Sequence, residues 1–422
     1  MGCKAQIVGG ERAHAKRRAG GRAACTPTLE SIMRIAFYAP LKSPAHPTPS
    51  GDRRVARLYM DALSRAGHEV ALVSELRSFE RAGDACVQAA IRDRAQNTVQ
   101  SLLAAWADGP ASAVPELWFS YHVYYKAPDW LGPAVSAALR IPYVVAEASH
   151  AGKRAGGPWK GGHAASIQAI RSAALLLSPT RDDMPGLRQI AGDTANIVHM
   201  PPFLDAGLYQ AAATLRASHR QQLAARWNLD AGLPWIVVAA MMREGDKLAS
   251  YGELARELAQ LGDLPWQLLV AGDGAAREAV HALLQAAAPG RVRYAGECAA
   301  AELAEIYAAG DLFVWPAVNE AYGMAMLEAQ AAGLPVVSSA TRGVQDVVQH
   351  GVTGLLAQPG DVPAFTQHIR ALLQDALRRS AMGAAAARFV SQERSLTQAA
   401  QSLQRHIANL APVAALYAGR AE

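Results

Sequence analysis

The sequence predicts an α/β protein made of two Rossmann-like parallel-sheet domains that face one another across a cleft. Two observations carry this expectation. Short apolar runs alternate with amphipathic helical stretches from residue 33 onward, and the alternation occurs twice, on either side of a polar, Ala-rich stretch around 211–228. The length of 422 residues accommodates two domains with sizeable cores. In the first half the predicted strands are RIAFYAP (34–40), EVALVS (69–74), ELWFSY (116–121), PYVVAE (142–147), ALLLS (174–178) and NIVHMP (196–201). In the second half they are WIVVAAMM (235–242), WQLLVAG (266–272), VRYAG (292–296), DLFVWP (311–316), LPVVS (334–338) and GLLA (354–357). Strand–helix alternation of this kind implies parallel sheets with right-handed crossovers, whose strand C-terminal ends present ligands to a crevice.

The expected organisation follows from these runs. Residues 1–32 form a disordered or mis-started extension, 33–205 an N-terminal Rossmann-like domain, 206–390 a C-terminal Rossmann-like domain, and 391–422 a helix packing back across both, with the linker near 204–216. Val55, Leu58, Tyr59, Ala62, Leu63 and Ala66 line one face of the first helix, which Gly67 closes. The last helix offers Phe389, Leu396, Ala400, Leu403, Ile407 and Leu410 for packing against a domain.

Composition narrows the function. The net charge of +5 is concentrated in the first 32 residues, where six Lys/Arg meet Glu11 and Glu30; the remainder holds 35 basic and 34 acidic residues. A near-neutral body disfavours nucleic-acid binding. The four cysteines (Cys3, Cys25, Cys86 and Cys298) are scattered without metal-ligand spacing, so reduced thiols and a cytoplasmic location are expected. The N-terminal head lacks a signal-peptide apolar region, and Met33, just before the first strand, is the expected start. No apolar run approaches the roughly 20 residues of a membrane span. Peripheral contact with the inner face of a membrane stays open.

The chemistry concentrates in NEAYGMAMLEAQAAGLPVV (319–337). Glu320 precedes a predicted helix, and Glu328 lies within it among Met324, Ala325, Met326, Leu327 and Ala329. A glutamate on an apolar surface needs a partner or a ligand. Gly323 permits close backbone approach at the helix start, where the free amides suit phosphate and the carboxylates suit hydroxyls. Phosphate with many hydroxyls suggests a nucleotide sugar. Arg243 and Lys247 follow the strand 235–242 and fit a diphosphate clamp, against the plainer reading of a solvated loop. No Asp-x-Asp or ligand-spaced cluster occurs, so no metal and no cofactor are expected; the two cations and backbone amides would neutralise a diphosphate leaving group.

Four further features each have a plainer alternative. The run GDGAAR (272–277) imitates a dinucleotide fingerprint, but Arg277 replaces its third glycine, which disfavours a dehydrogenase. His122 follows a predicted strand end, where ligands bind, although a lone histidine is often structural. Ser50-Gly51-Asp52 either points amides such as that of Gly51 into the cleft or simply caps the first helix. The loop 147–163, with five glycines and His150, Lys153, Arg154, Trp159, Lys160 and His163, either binds an acceptor or is plain surface.

Taken together these residues resemble the retaining glycosyltransferases of family 4, the glycosyl transferases group 1, which have the GT-B fold. The match runs through Glu320-x7-Glu328, Ala332-Gly333-Leu334-Pro335-Val336-Val337, Gly351-Val352-Thr353-Gly354-Leu355-Leu356 and Pro359-Gly360-Asp361. The resemblance implies metal-independent transfer of a sugar from a nucleotide-diphosphate sugar, with retention of configuration, to a glycan, lipid-linked or small-molecule hydroxyl in envelope or exopolysaccharide synthesis. It implies that Glu320 contacts sugar hydroxyls, Glu328 the ribose, Arg243 and Lys247 the diphosphate, the amides of Gly323, Met324 and Ala325 the sugar or phosphate, and that His122 stands at the cleft edge of the N-terminal domain. The chain departs from the family at Ser50-Gly51-Asp52, Pro201-Pro202-Phe203 and Arg342-Gly343-Val344-Gln345-Asp346. A sugar-nucleotide epimerase or phosphorylase on the same scaffold, and a catalytically silent nucleotide-sugar-binding partner, are the competing readings.

Overall fold

A computed structural model describes residues 32–48 and 50–410. The expected extension up to Ser31, with Cys3 and Cys25, lies outside the described residues, as does the chain after Leu410.

Each of the predicted apolar runs forms a strand, trimmed at one or both ends in most cases. The N-terminal sheet contains β1 (Arg34–Tyr38), β2 (Glu69–Ser74), β3 (Leu117–Val123), β4 (Tyr143–Ala148), β5 (Leu175–Ser178) and β6 (Ile197–His199). The C-terminal sheet contains β7 (Trp235–Ala239), β8 (Gln267–Ala271), β9 (Val292–Gly296), β10 (Leu312–Trp315), β11 (Val336–Ser339) and β12 (Gly354–Ala357). Their orders are β2-β1-β3-β4-β5-β6 and β12-β11-β10-β7-β8-β9, and each strand pairing is parallel. The first resembles the flavodoxin order, and the second is the dinucleotide-fold order counted from β7. Both sheets therefore have a switch point where consecutive connections leave in opposite directions: between β1 and β3, and between β7 and β10. Ligands bind outside the strand ends at such points.

Runs such as Trp235–Val238 and Leu312–Trp315 are apolar at every position because helices cover both faces of a parallel sheet. In the N-terminal domain Phe37 stacks on Phe119 of the neighbouring strand at 5.6 Å, and Tyr59 meets Phe203 edge-on. Helix Gly51–Arg65 buries Val55, Ala56, Leu58, Tyr59, Ala62 and Leu63, matching its sequence stripe. The buried Asp129 is structural: it accepts from Ser120, Tyr143 and the amides of Leu131 and Gly132.

The Ala-rich stretch after residue 206 forms helices Gly207–Thr214 and Arg216–Trp227, which belong with the C-terminal core through Tyr209, Ala212 and Leu223. Arg216 and Arg220 reach the half-buried Asp311 at 2.7 and 2.9 Å, and Asp311 also accepts the Trp235 amide. The chain crosses between domains beside Leu204, whose amide and carbonyl bond Arg394 and Leu396. Beyond that bridge, helix Leu396–Ala408 buries Leu396, Ala399, Leu403 and Ile407 in the N-terminal core. Among the described residues no helix is long and apolar enough to cross a membrane.

Candidate functional site

The two switch points hold the predicted chemistry. Arg243 and Lys247 follow β7, Glu320 follows β10, His122 is the penultimate residue of β3, and the first helix begins after β1. Backbone strain marks the same places. His122, Glu147, Ala317 and Asn319 have φ between 56° and 61°, all at or just past strand C-termini. Non-glycine residues adopt this conformation at a cost and cluster where side chains must be aimed. Arg140 and Asn228, the other such residues described, are ordinary left-handed helix caps.

Glu320 and Lys247 form one half of the site. The Lys247 ammonium lies 2.7 Å from Glu320 Oε2, and the Gly323 amide donates to Oε1 at 3.4 Å. Burial works to raise the Glu320 carboxyl, but Lys247 and the amides of Gly323 and Tyr322 outweigh it and hold the group below the usual carboxylate value. Arg243 is exposed and makes no side-chain hydrogen bond or ion pair among the described residues, so its guanidinium is available to an anion. The segment that leads from β7 to Arg243 and Lys247 is held against the turn after β8 by Gly272 and Gly274. A Cβ on either would collide with the carbonyl of Ala240 or Met242, and the Met242 amide bonds Asp273 at 2.9 Å. That close approach explains the two glycines of the imitation dinucleotide motif, while Arg277 starts helix Arg277–Ala287 and pairs with Asp273.

Helix Met324–Ala331 begins at Gly323, which caps it at φ 71° without a side chain. Glu328 is buried on its inner face, with only 4% of its side chain exposed. Its Oε1 takes a close ion pair from Arg54 of the N-terminal domain, and its Oε2 accepts from Tyr307 at 3.2 Å. Arg54 also donates to the Tyr209 hydroxyl at 2.8 Å. Burial raises the Glu328 carboxyl more than Arg54 lowers it. Tyr209, raised to about 12 by burial and then by Glu328, stays a neutral phenol.

On the facing domain, His122 Nδ1 lies 2.9 Å from Asp52 and 3.5 Å from Glu147. Burial lowers the His122 imidazole, while the charges of Glu147 and Asp52 raise it further and leave it above the ordinary histidine value. Ser50, not Asp52, caps the helix by accepting from the Arg53 amide at 3.2 Å, which frees Asp52 for His122. Gly51 opens the helix with unfilled space where a side chain would stand. Tyr322, inside the acidic motif of the C-terminal domain, packs against the N-terminal core beside Tyr59, Tyr121 and Glu147.

Between the domains lies a cavity of about 520 Å³, lined by Glu147, Thr180, Asp183, Glu320, Tyr322 and Arg342, among others. Glu320 lines it; Lys247 stands behind Glu320, and Glu328 lies closed beneath Arg54. His150, Lys153 and Arg154 do not line it. His150 faces His163 at 5.5 Å, Lys153 is exposed, and Arg154 stacks over Trp159 at 5.1 Å. Among the described residues no group of three or more His, Cys, Asp or Glu is arranged to hold a metal.

Comparison with known proteins bears on this geometry. Residues 234–375 match the family model of glycosyl transferases group 1. The matched segment contains Arg243, Lys247, Glu320 and Glu328, so the resemblance to glycosyl transferases group 1 holds over the stretch that carries them. The chain is 28% identical over 240 residues to the alpha-D-kanosaminyltransferase of Streptomyces kanamyceticus, covering 57% of this chain and 61% of that protein. It spans less than two thirds of the length of that relative. Among solved structures, a sucrose-phosphate synthase from Thermosynechococcus elongatus superimposes with a TM-score of 0.68 at 20% identity, covering 90% of this chain and 99% of the other. Anabaena HepE in complex with UDP gives a TM-score of 0.66 at 18% identity, covering 90% and 100%. The architecture is the GT-B fold.

Neither Arg54 nor Glu147 is among the candidate residues that the sequence marks. Glu147 had a usable signal, since it ends the apolar run PYVVAE as Glu320 follows DLFVWP. Arg54 had none, because it stands on the polar side of an amphipathic helix, where a solvated charge is ordinary.

Proposed function

We propose that the protein is a glycosyltransferase that moves a sugar from a nucleotide-diphosphate sugar to an acceptor hydroxyl. The observation that carries the reading is the Lys247–Glu320 pair at the edge of the cavity between the domains, with Arg243, unpaired among the described residues, in the loop that leads to Lys247 and His122 near the end of β3 on the facing sheet. In this reading Arg243 and Lys247 take the diphosphate, Glu320 the sugar hydroxyls, and Glu328 the ribose. The amides of Gly323, Met324 and Ala325 supply further donors, and Gly51 leaves room at the facing helix. Charge developing on the leaving diphosphate is met by fixed cations and amides, which stabilise a transition state without reorganising. Metal independence, retention of configuration and membership of family 4 belong to the proposal, as does a cytoplasmic site of action reaching an envelope or exopolysaccharide acceptor.

The cavity beside Glu320 suits the transferred sugar and part of an acceptor; Asp183 and Thr180 offer it hydroxyl partners. The test is release of nucleotide diphosphate from a panel of UDP-, GDP- and ADP-sugars with and without candidate acceptors, in the presence of chelator. Acceptor-dependent release is expected. Conversion of the sugar nucleotide without acceptor would favour an epimerase, and binding without turnover would favour a silent partner. The anomeric configuration of the product, read by NMR, decides retention.

A further inference from the structure

Glu328 is already occupied. Its carboxylate is closed under the Arg54 guanidinium, which bridges to Tyr209, and Tyr307 holds the second oxygen. A ribose diol needs the same carboxylate oxygens, and at 4% exposure they are not open to one. Arg54 differs: 42% of its side chain is exposed, and it comes from the opposite domain. It is the member of this cluster that can leave without unpacking the core.

The position of Arg54 gives that departure a consequence. Residues two apart on a helix project roughly 200° apart, so Asp52 and Arg54 point in opposite directions from one helical turn. Asp52 reaches His122 within its own domain, and Arg54 reaches Glu328 across the cleft. We propose that Arg54 is a donor-site residue that stands in for the nucleotide's ribose on Glu328, and that donor binding must displace it. The inference rests on the assignment of Glu328 to the ribose. In the free protein the ion pair bridges the two domains; with the diol on Glu328, the guanidinium is released into the cleft. Affinity for nucleotide is then set by competition, because the ligand must offset the lost pair before it gains its own contacts.

The experiment is calorimetric titration of UDP, GDP and ADP, each beside its 2′,3′-dideoxy analogue, into the parent, Arg54→Gln, Arg54→Lys and Arg54→Gln/Glu328→Gln. Arg54→Gln is expected to bind the ribonucleotide several-fold to about tenfold more tightly than the parent, with Arg54→Lys between them. That gain should vanish for the dideoxy analogue and in the double variant, which also removes any unpaired buried carboxylate. Tight ribonucleotide binding in the parent that Arg54→Gln weakens or leaves unchanged overturns the inference and leaves the glycosyltransferase reading standing. An equal gain for the dideoxy analogue overturns it too. Absence of nucleotide binding in every folded variant overturns both.

Discussion

At the scale of single residues, the site is a set of charges whose partners are chosen across loops and domains. Glu320 is kept ionised by Lys247, so Lys247→Met should release the carboxyl upward and lower kcat by roughly 10²–10³, the usual loss for a fixed electrostatic donor. Steady-state kinetics of the variant check this, with the melting temperature as a control for folding. His122 makes a pH prediction. Its imidazole is raised in the folded protein, since the carboxylates of Glu147 and Asp52 more than reverse the effect of burial. Stability from that pairing is complete below the unfolded value of about 6.5 and is lost as pH rises through the higher folded value. Asp52→Asn should therefore cost more stability at pH 6 than at pH 8. Urea unfolding at the two pH values measures the difference, and an equal cost at both would remove the pairing from consideration.

At the scale of elements, loops after strands are shaped by backbone contacts that tolerate no side chain. Gly272 and Gly274 have φ of 137° and 149° and lie against the carbonyls of Ala240 and Met242. Either residue changed to alanine should destabilise the protein by about 2–5 kcal/mol, combining strain with a collision that must move backbone. Gly51→Ala is the contrast. It stands in the first turn of a helix with open space around it and should change stability by less than about 1 kcal/mol. Chemical denaturation of the three variants tests the ordering. The twelve strands were legible because buried parallel strands are nearly continuous apolar runs, and helices between them carry a 3.6-residue stripe. The helix pair over 207–227 was less so. Its polar composition suggested a separator, but Arg216 and Arg220 are spent on Asp311 and on neighbouring carbonyls.

At the scale of the whole molecule, the domains meet through contacts that no local sequence window contains. Besides Arg54 with Glu328, Asp346 of the C-terminal half lies 2.9 Å from His199 Nε2 and accepts from the Arg181 amide, and Arg342 pairs with Asp183. Asp346 is buried, while Arg342 is exposed and its pair contributes little in water. Asp346→Ala should thus cost about 1–3 kcal/mol and loosen the two halves, because partners built around a carboxylate lose it. Small-angle scattering is expected to show a larger radius of gyration for this variant, and Arg342→Ala a smaller change or none. An unchanged radius in Asp346→Ala would place the restraint in the Leu204–Ser395 bridge instead.

The sequence by itself determined the two sheets, the order of their strands along the chain, and the grouping of Glu320, Glu328, Arg243 and Lys247 in one domain. Periodicity, apolar burial and charge in an apolar setting are local properties, and they survive in one dimension. Only the tertiary structure decided the partners. It gave Asp52 to His122 and Ser50 to the helix cap, set Lys247 on Glu320, closed Arg54 over Glu328, and left His150, Lys153 and Arg154 away from the cavity beside Glu320. A polar side chain chooses among partners by distance and desolvation, and those are settled when loops from separate strands and separate domains come together.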